Sequence, residues 1–191
     1  LFGFGAAHRA AVVEMGANGL GEIARLAAVT LPTTGLITLC APAHLSGFGS
    51  IDGVAEEKGC IYAGLDKDGI AVLNADDVYA DRWREKIGGR QTVTFGLEKS
   101  ADVSAVWIGS ARGSDVELNV LGSRAGLRLP VPGRHNVMNA LATAAAAVAN
   151  GVPLNAIIDG LSSFSGAPGR LQLKAAAAGG WVLDDTYNSN P

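Results

Sequence analysis

Two carboxamides three residues apart, Asn136 and Asn139, follow the loop Leu129-Pro-Val-Pro-Gly-Arg-His135 and open an Ala-rich stretch. On a helix that spacing puts both on one face. A carboxamide donates and accepts hydrogen bonds, so such a pair can read a heteroaromatic edge such as adenine. The plainer alternative is that Asn136 caps the helix. Glu14 ends the apolar run Ala10 to Met15, and its carboxylate would emerge at the ligand edge of a sheet; a structural salt bridge is the alternative. His44 lies in Ala41-Pro-Ala-His-Leu-Ser-Gly-Phe-Gly-Ser50, a loop of small residues that lets backbone approach a ligand, although a loop histidine is also simply exposed. Glu14 and His44 follow adjacent sheet strands on this reading, so they can converge on one oxygen-rich Mg²⁺ site, which takes one or two carboxylates plus waters and phosphate oxygens. Lys58, in Ala55-Glu-Glu-Lys-Gly-Cys-Ile61, reads by itself as a solvated lysine paired with a nearby acid. Arg170, in Ala167-Pro-Gly-Arg-Leu171, offers a planar fork suited to phosphate. Asp184 and Asp185 follow Trp181-Val-Leu183, where a carboxylate can accept from ribose hydroxyls.

The elements that must position these residues alternate in type. Ala10 to Met15 reads as a buried strand, Gly21 to Val29 as a helix and Gly35 to Leu39 as a strand. A helix at 51–65, a strand at 69–74, a helix at 76–87 and a strand at 91–95 follow. Strands separated by helices of this length predict an α/β fold, a mostly parallel sheet with helices on both faces. From 101 to 129 apolar and polar residues alternate, as in Val116-Glu-Leu-Asn-Val-Leu121, with a turn signal at Gly122-Ser-Arg-Ala-Gly126. This predicts a small antiparallel meander packed alongside. Helices return at 135–150 and 153–164, 175–180 is a turn, and Trp181 to Asp185 reads as one more buried strand with acids at its carboxyl end, where open α/β sheets bind ligands.

Composition narrows the function classes. The 191 residues suit one sizeable domain, read as 1–191 with 101–129 as an insertion, and 48% are hydrophobic. With 15 basic against 18 acidic residues there is no basic stripe, which argues against nucleic acid. Cys40 and Cys60 alone make neither a zinc cluster nor a disulfide framework, and a reducing cytoplasm is expected. The apolar stretch 140–149 is too short to cross a bilayer. Gly16-Ala-Asn-Gly-Leu-Gly21 has the glycine gap of a Walker loop but continues Glu22-Ile23, so it cannot cradle phosphates that way. A start without Met and an end in Tyr187-Asn-Ser-Asn-Pro191 are what a fragment of a longer protein, truncated at both ends, would show.

Val13-Glu-Met-Gly-Ala-Asn18, Ala43-His-Leu-Ser-Gly-Phe-Gly-Ser50, Leu73-Asn-Ala-Asp-Asp77, Pro132-Gly-Arg-His-Asn-Val-Met-Asn-Ala-Leu141, Pro168-Gly-Arg170 and Leu183-Asp-Asp-Thr-Tyr-Asn-Ser-Asn190 occur in this order along nearly the whole chain. In that combination the chain closely resembles the central ATP-binding region of the Mur ligases. The resemblance implies an ADP-forming ligase that phosphorylates a peptide carboxylate with ATP and lets an amine attack the acyl phosphate. The sequence around His44 is similar to that of members joining D-alanyl-D-alanine to UDP-N-acetylmuramoyl-tripeptide in peptidoglycan synthesis. By the same resemblance Glu14, His44 and Lys58 would hold magnesium, Lys58 as a carbamate. Asn136 and Asn139 would face adenine with His135 on the same nucleotide side, Arg170 would contact phosphate and Asp185 ribose, with Lys58, His44 and Arg170 as the catalytic set. Asn188 and Asn190 would lead to a C-terminal domain. Ser46 and Cys60 stand where many relatives have acids, and Gly19-Leu20 where a His-containing pair is common. The family's phosphate loop would lie upstream of Leu1, so the chain is expected to be inactive alone, and monomeric. Another Mur-type ligase, a folylpolyglutamate synthase or a non-catalytic nucleotide-binding module remain as alternatives.

Overall fold

The computed structural model describes the chain except Leu1, Phe2, Phe4, Ala43, His44, Leu171, Asp185, Asn188, Ser189, Asn190 and Pro191. Among the described residues, strands β1 (Thr34–Ile37), β2 (Ile70–Asn74), β3 (Thr92–Phe95), β4 (Val103–Ser110), β5 (Gly113–Val120) and β6 (Ser123–Leu129) are laddered in chain order. β1 pairs parallel with β2, and β3 pairs parallel with β4 at Phe95 and Val103. β4, β5 and β6 are antiparallel. This is the mostly parallel α/β sheet with its meander. The chain divides into two compact units, Leu1–Val93 and Thr94–Pro191.

In the first unit, helices α1 (Glu22–Thr30), the single turn α2 (Leu45–Phe48), α3 (Ile51–Ala63) and α4 (Ala80–Ile87) are threaded between the strands. Helix α3 organises the core. Ser50 is its N-cap, its hydroxyl accepting from the Gly53 amide at 3.1 Å. Its Tyr62 is fully buried, sets its ring edge-on to Trp83 of α4, and donates its hydroxyl to the Val72 carbonyl at 2.8 Å. Burial pushes the Tyr62 phenol well above its ordinary pKa. Trp83 in turn donates its indole N–H to the Ala55 carbonyl at 2.9 Å. Helix α4 starts at Ala80, later than the expected 76, because Asp77 binds the Tyr79 amide and closes a turn first.

In the second unit, Asp102 accepts from both the amide and the hydroxyl of Thr94 and gives its own amide to that hydroxyl, which pins the connection into β4. Helices α5 (Arg134–Ala149) and α6 (Leu154–Ser163) cover the meander, α5 against β4 and β5, and α6 against β6.

Three expectations are corrected. Ala10 to Met15 joins no ladder, with Val12 98% exposed, so it is no buried strand: no described strand offers its backbone a partner. The 181–185 segment forms β8 (Trp181–Asp184), which pairs only with β7 (Gln172–Ala175) in an antiparallel hairpin, leaving Trp181, Val182 and Leu183 about half exposed. The 175–180 turn is the tip of that hairpin, with Ala176 donating to the Gly180 carbonyl. Finally, the β5–β6 turn is Leu121-Gly122, not 122–126, since Val120 already pairs with Ser123.

Leu121 holds φ 51° and Gly122 φ 86°, both positive, as in the two-residue hairpin turns that favour Asn-Gly. A leucine side chain is strained there. Leu121→Asn is expected to raise stability by up to about 1 kcal/mol, read from denaturant unfolding; an unchanged midpoint would show that the hairpin does not carry that strain.

Candidate functional site

In the first unit, polar side chains gather where β1 ends. The backbone of Thr38, Leu39 and Cys40 leaves the sheet and is held by three side chains. Asn74 donates its amide to the Thr38 carbonyl at 2.8 Å, Lys58 donates Nζ to the Leu39 carbonyl at 2.6 Å, and Asp77 accepts from the Cys40 amide at 2.7 Å. Lys58 therefore reaches the carboxyl end of β1 from α3, the end of a parallel strand at which open α/β sheets bind ligands. It has no acid partner among the described residues. The neighbouring acids are engaged elsewhere: Glu56 with Lys86 and Arg82, and Glu57 with two amides of the α1 start. The hydrogen bond from Lys86 holds the Glu56 carboxyl below its ordinary pKa, while burial pushes the Cys40 thiol up, with Asp77 adding to it.

Glu14 is exposed and no described residue pairs with it. His44 lies outside the described residues, as does any account of the Ser46 side chain. The turn that follows His44 is nonetheless set against the segment that follows Glu14. A Cβ at Gly47 would come within 1.8 Å of the Asn18 carbonyl oxygen, so only glycine lets α2 approach the backbone there. Among the described residues no three of His, Cys, Asp and Glu gather as a metal cage. Magnesium does not need one: it takes one or two carboxylates plus waters and phosphate oxygens, and the exposed, unpaired Glu14 carboxylate is a donor of that kind.

In the second unit, the loop before α5 turns through Gly133 at φ 96°, where a Cβ would also strike the His135 ring at 2.7 Å. His135 is exposed, and Arg134 pairs with Glu98 at 2.9 Å. The two carboxamides differ. Asn136 is half-buried and donates its amide to the Pro132 carbonyl at 2.7 Å, tying the helix to its own loop; the N-cap is Gly133, so Asn136 does not cap. Asn139 is exposed and its side chain has no partner among the described residues. Arg170 lies with its guanidinium 4.4 Å from the centre of the Tyr187 ring, and the Gly169 carbonyl accepts from the Tyr187 amide at 2.9 Å. The Pro168-Gly-Arg170 loop is thus stitched to the residues that follow β8. Asp184 is consumed locally: it binds Lys174 at 2.5 Å and the Thr186 hydroxyl at 2.8 Å, and the Lys174 bond lowers its pKa. Asp185, Asn188 and Asn190 lie outside the described residues.

Residues 4–147 match the family model of the Mur ligase middle domain. The chain belongs to the Mur ligase family. It is 41% identical over 182 residues, 94% of its length, to the UDP-N-acetylmuramoyl-tripeptide–D-alanyl-D-alanine ligase of Escherichia coli, and covers 40% of that protein. Against the Haemophilus influenzae enzyme of the same name it is 40% identical over 184 residues, covering 96% of this chain and 40% of the relative. A crystal structure of MurF from Acinetobacter baumannii superposes with a TM-score of 0.86 at 35% identity, covering 92% of this chain and 38% of that one. The MurF ligase of Thermotoga maritima in complex with ADP gives 0.78 at 25% identity, covering 92% and 40%. The chain thus spans about two fifths of the Mur ligases it matches.

The reading of single residues missed Glu57, Asp77 and Gly47. Glu57 had a signal: with Val54, Lys58, Ile61 and Tyr62 it falls on one helical stripe, an acid among residues that should be buried. Asn136→Ala is expected to lower stability by about 1 kcal/mol through the lost Pro132 bond. Asn139→Ala should be neutral or slightly stabilising, alanine being the better helix former. Equal losses in thermal unfolding would show that both amides are structural.

Proposed function

We propose that the chain is the ATP-binding centre of a ligase that joins D-alanyl-D-alanine to UDP-N-acetylmuramoyl-tripeptide in cytoplasmic peptidoglycan synthesis. The observation that carries this reading is the 41% identity over 182 residues to the Escherichia coli ligase of that name. The ADP complex of the Thermotoga maritima relative supports a nucleotide site in the same fold. In such a reaction ATP phosphorylates the tripeptide carboxylate, the amine of D-alanyl-D-alanine attacks the acyl phosphate, and ADP and phosphate leave. Both units, 1–191, belong on this reading to one central domain.

The residues take the following parts. Asn139 presents its unpaired amide to adenine, with Asn136 holding the loop beneath it and His135 on the same side. Arg170, stacked and without a carboxylate among the described residues, contacts phosphate, where a planar fork suits two oxygens. Asp185 takes a ribose hydroxyl. Glu14, His44 and Lys58 hold magnesium, which when bound offsets charge on the transferring phosphoryl group. Lys58 serves as a carbamate, formed by addition of CO₂ to the neutral amine with loss of one proton. The carbamate nitrogen keeps one N–H, so the bond to the Leu39 carbonyl survives while a carboxylate is gained.

Steady-state kinetics on the whole enzyme tests the nucleotide part. An adenine contact is made equally in ground and transition states, so Asn139→Ala should raise KM for ATP and leave kcat within a few-fold. Lost hydrogen bonds of roughly 1 to 3 kcal/mol correspond to about a five- to 150-fold change. An unchanged KM would remove Asn139 from the site.

A further inference from the structure

Glu57 is 2% exposed, yet among the described residues no cation pairs with it. Its two carboxylate oxygens instead accept from the Gly21 and Ile23 amides, each at 2.6 Å. Those amides belong to the N-cap and second residue of α1, donors that the helix itself cannot satisfy. The positive end of the helix dipole offsets the buried charge. A structural cap would ordinarily come from the residue preceding the helix; Gly21 has no side chain to give one, and the acceptor comes from 36 residues away. Glu57 also stands directly before Lys58 on α3, and Gly21 stands seven residues after Glu14. Between Glu14 and Gly21 the chain is unladdered, held by the Asn18 amide on Glu22 at 2.9 Å and by the abutment of Gly47 on Asn18.

We propose that Glu57 is a positioning residue: its carboxylate clamps the start of α1 to α3 and so sets the Glu14 segment in register with Lys58 for metal binding. The proposal rests on the assignment of Glu14 and Lys58 as metal-side residues above. A side chain that only stabilised the fold would affect melting; one that sets register also changes how strongly the metal is held. Truncation to alanine frees both amides, whereas glutamine keeps one good acceptor and turns its NH₂ toward the other amide.

The test uses the whole enzyme with ADP bound, Mn²⁺ as a paramagnetic stand-in for magnesium read by electron paramagnetic resonance, and hydrogen exchange across residues 14–23. Glu57→Ala should weaken Mn²⁺ binding about tenfold and raise the Mg²⁺ concentration for half-maximal rate by a similar factor, with kcat at saturating Mg²⁺ within twofold. Glu57→Gln should fall between it and the parent, which keeps the test open if the alanine variant does not fold. Both should speed exchange at Gly21 and Ile23. Tyr62→Phe, which lowers stability elsewhere on α3, should leave Mn²⁺ affinity alone. Unchanged Mn²⁺ affinity in the Glu57 variants once exchange has risen, or an equal loss in Tyr62→Phe, overturns the positioning role. If Glu14→Gln itself leaves Mn²⁺ affinity unchanged, the metal assignment fails instead, and the clamp's purpose with it.

Discussion

The backbone that leaves β1 is the constraint on which the first unit depends. Thr38, Leu39 and Cys40 have passed the end of the β1–β2 ladder, and their carbonyls and amide still need partners. Three side chains from three other places supply them: Asn74 at the end of β2, Lys58 on α3 and Asp77 in the turn after β2. Each of these bonds is worth only about 1 kcal/mol net; the Cys40 amide is the buried group of the three, and leaving it unmade would cost more. The same bonds fix where α3 lies along the strand, because Lys58 cannot reach the Leu39 carbonyl from another register. The bond to the Leu39 carbonyl therefore places Lys58 at the strand edge.

Much of this was legible in the residues. Helices α3 and α5, strands β1 to β3 and the meander follow from apolar periodicity and turn residues, signals that are local. The misses are of another kind. Ala10 to Met15 has the apolar, β-branched composition of a buried strand, but a strand exists only where a neighbour offers its backbone a ladder, and none is described there. Trp181-Val-Leu183 has the same composition and found only β7. The Leu121-Gly122 turn was misplaced because Gly122 and Gly126 give equal local cues, and register with β5 decides between them. Pairing is a property of two segments, so one segment's composition does not report it.

In the second unit, sequence spacing put both carboxamides on one helix but did not distinguish the members of the pair. Asn136 and Asn139 are the same residue type on the same face, and Asn136 differs only because Pro132 turns its carbonyl back toward the helix. Asp184 and Asp185 were likewise alike until the hairpin brought Lys174 against Asp184. Glu57 shows the converse error. By sequence it is one of two acids before Lys58, whereas its place on the buried stripe marks a carboxylate that accepts from the Gly21 and Ile23 amides.

These cases point to a physical criterion for separating scaffold from ligand contacts among polar groups. Buried polar groups cost free energy unless hydrogen-bonded, so a fold finds partners for those that serve it. Asn74, Asp77, Glu57, Asn136 and Asp184 all have such partners within the chain. Glu14, Asn139 and the Arg170 guanidinium have no hydrogen-bonding partner among the described residues and lie exposed. Exposure alone would make them ordinary surface groups. What sets them apart is that the fold spends glycines and stitched loops on the backbone around each: Gly47 against Asn18, Gly133 before α5, and Gly169 bonded to Tyr187. The Gly133 turn and the Pro132 bond to Asn136 hold the start of α5 while Asn139 keeps no side-chain partner among the described residues, and that difference in partners, more than residue type, is what separates Asn139 from Asn136.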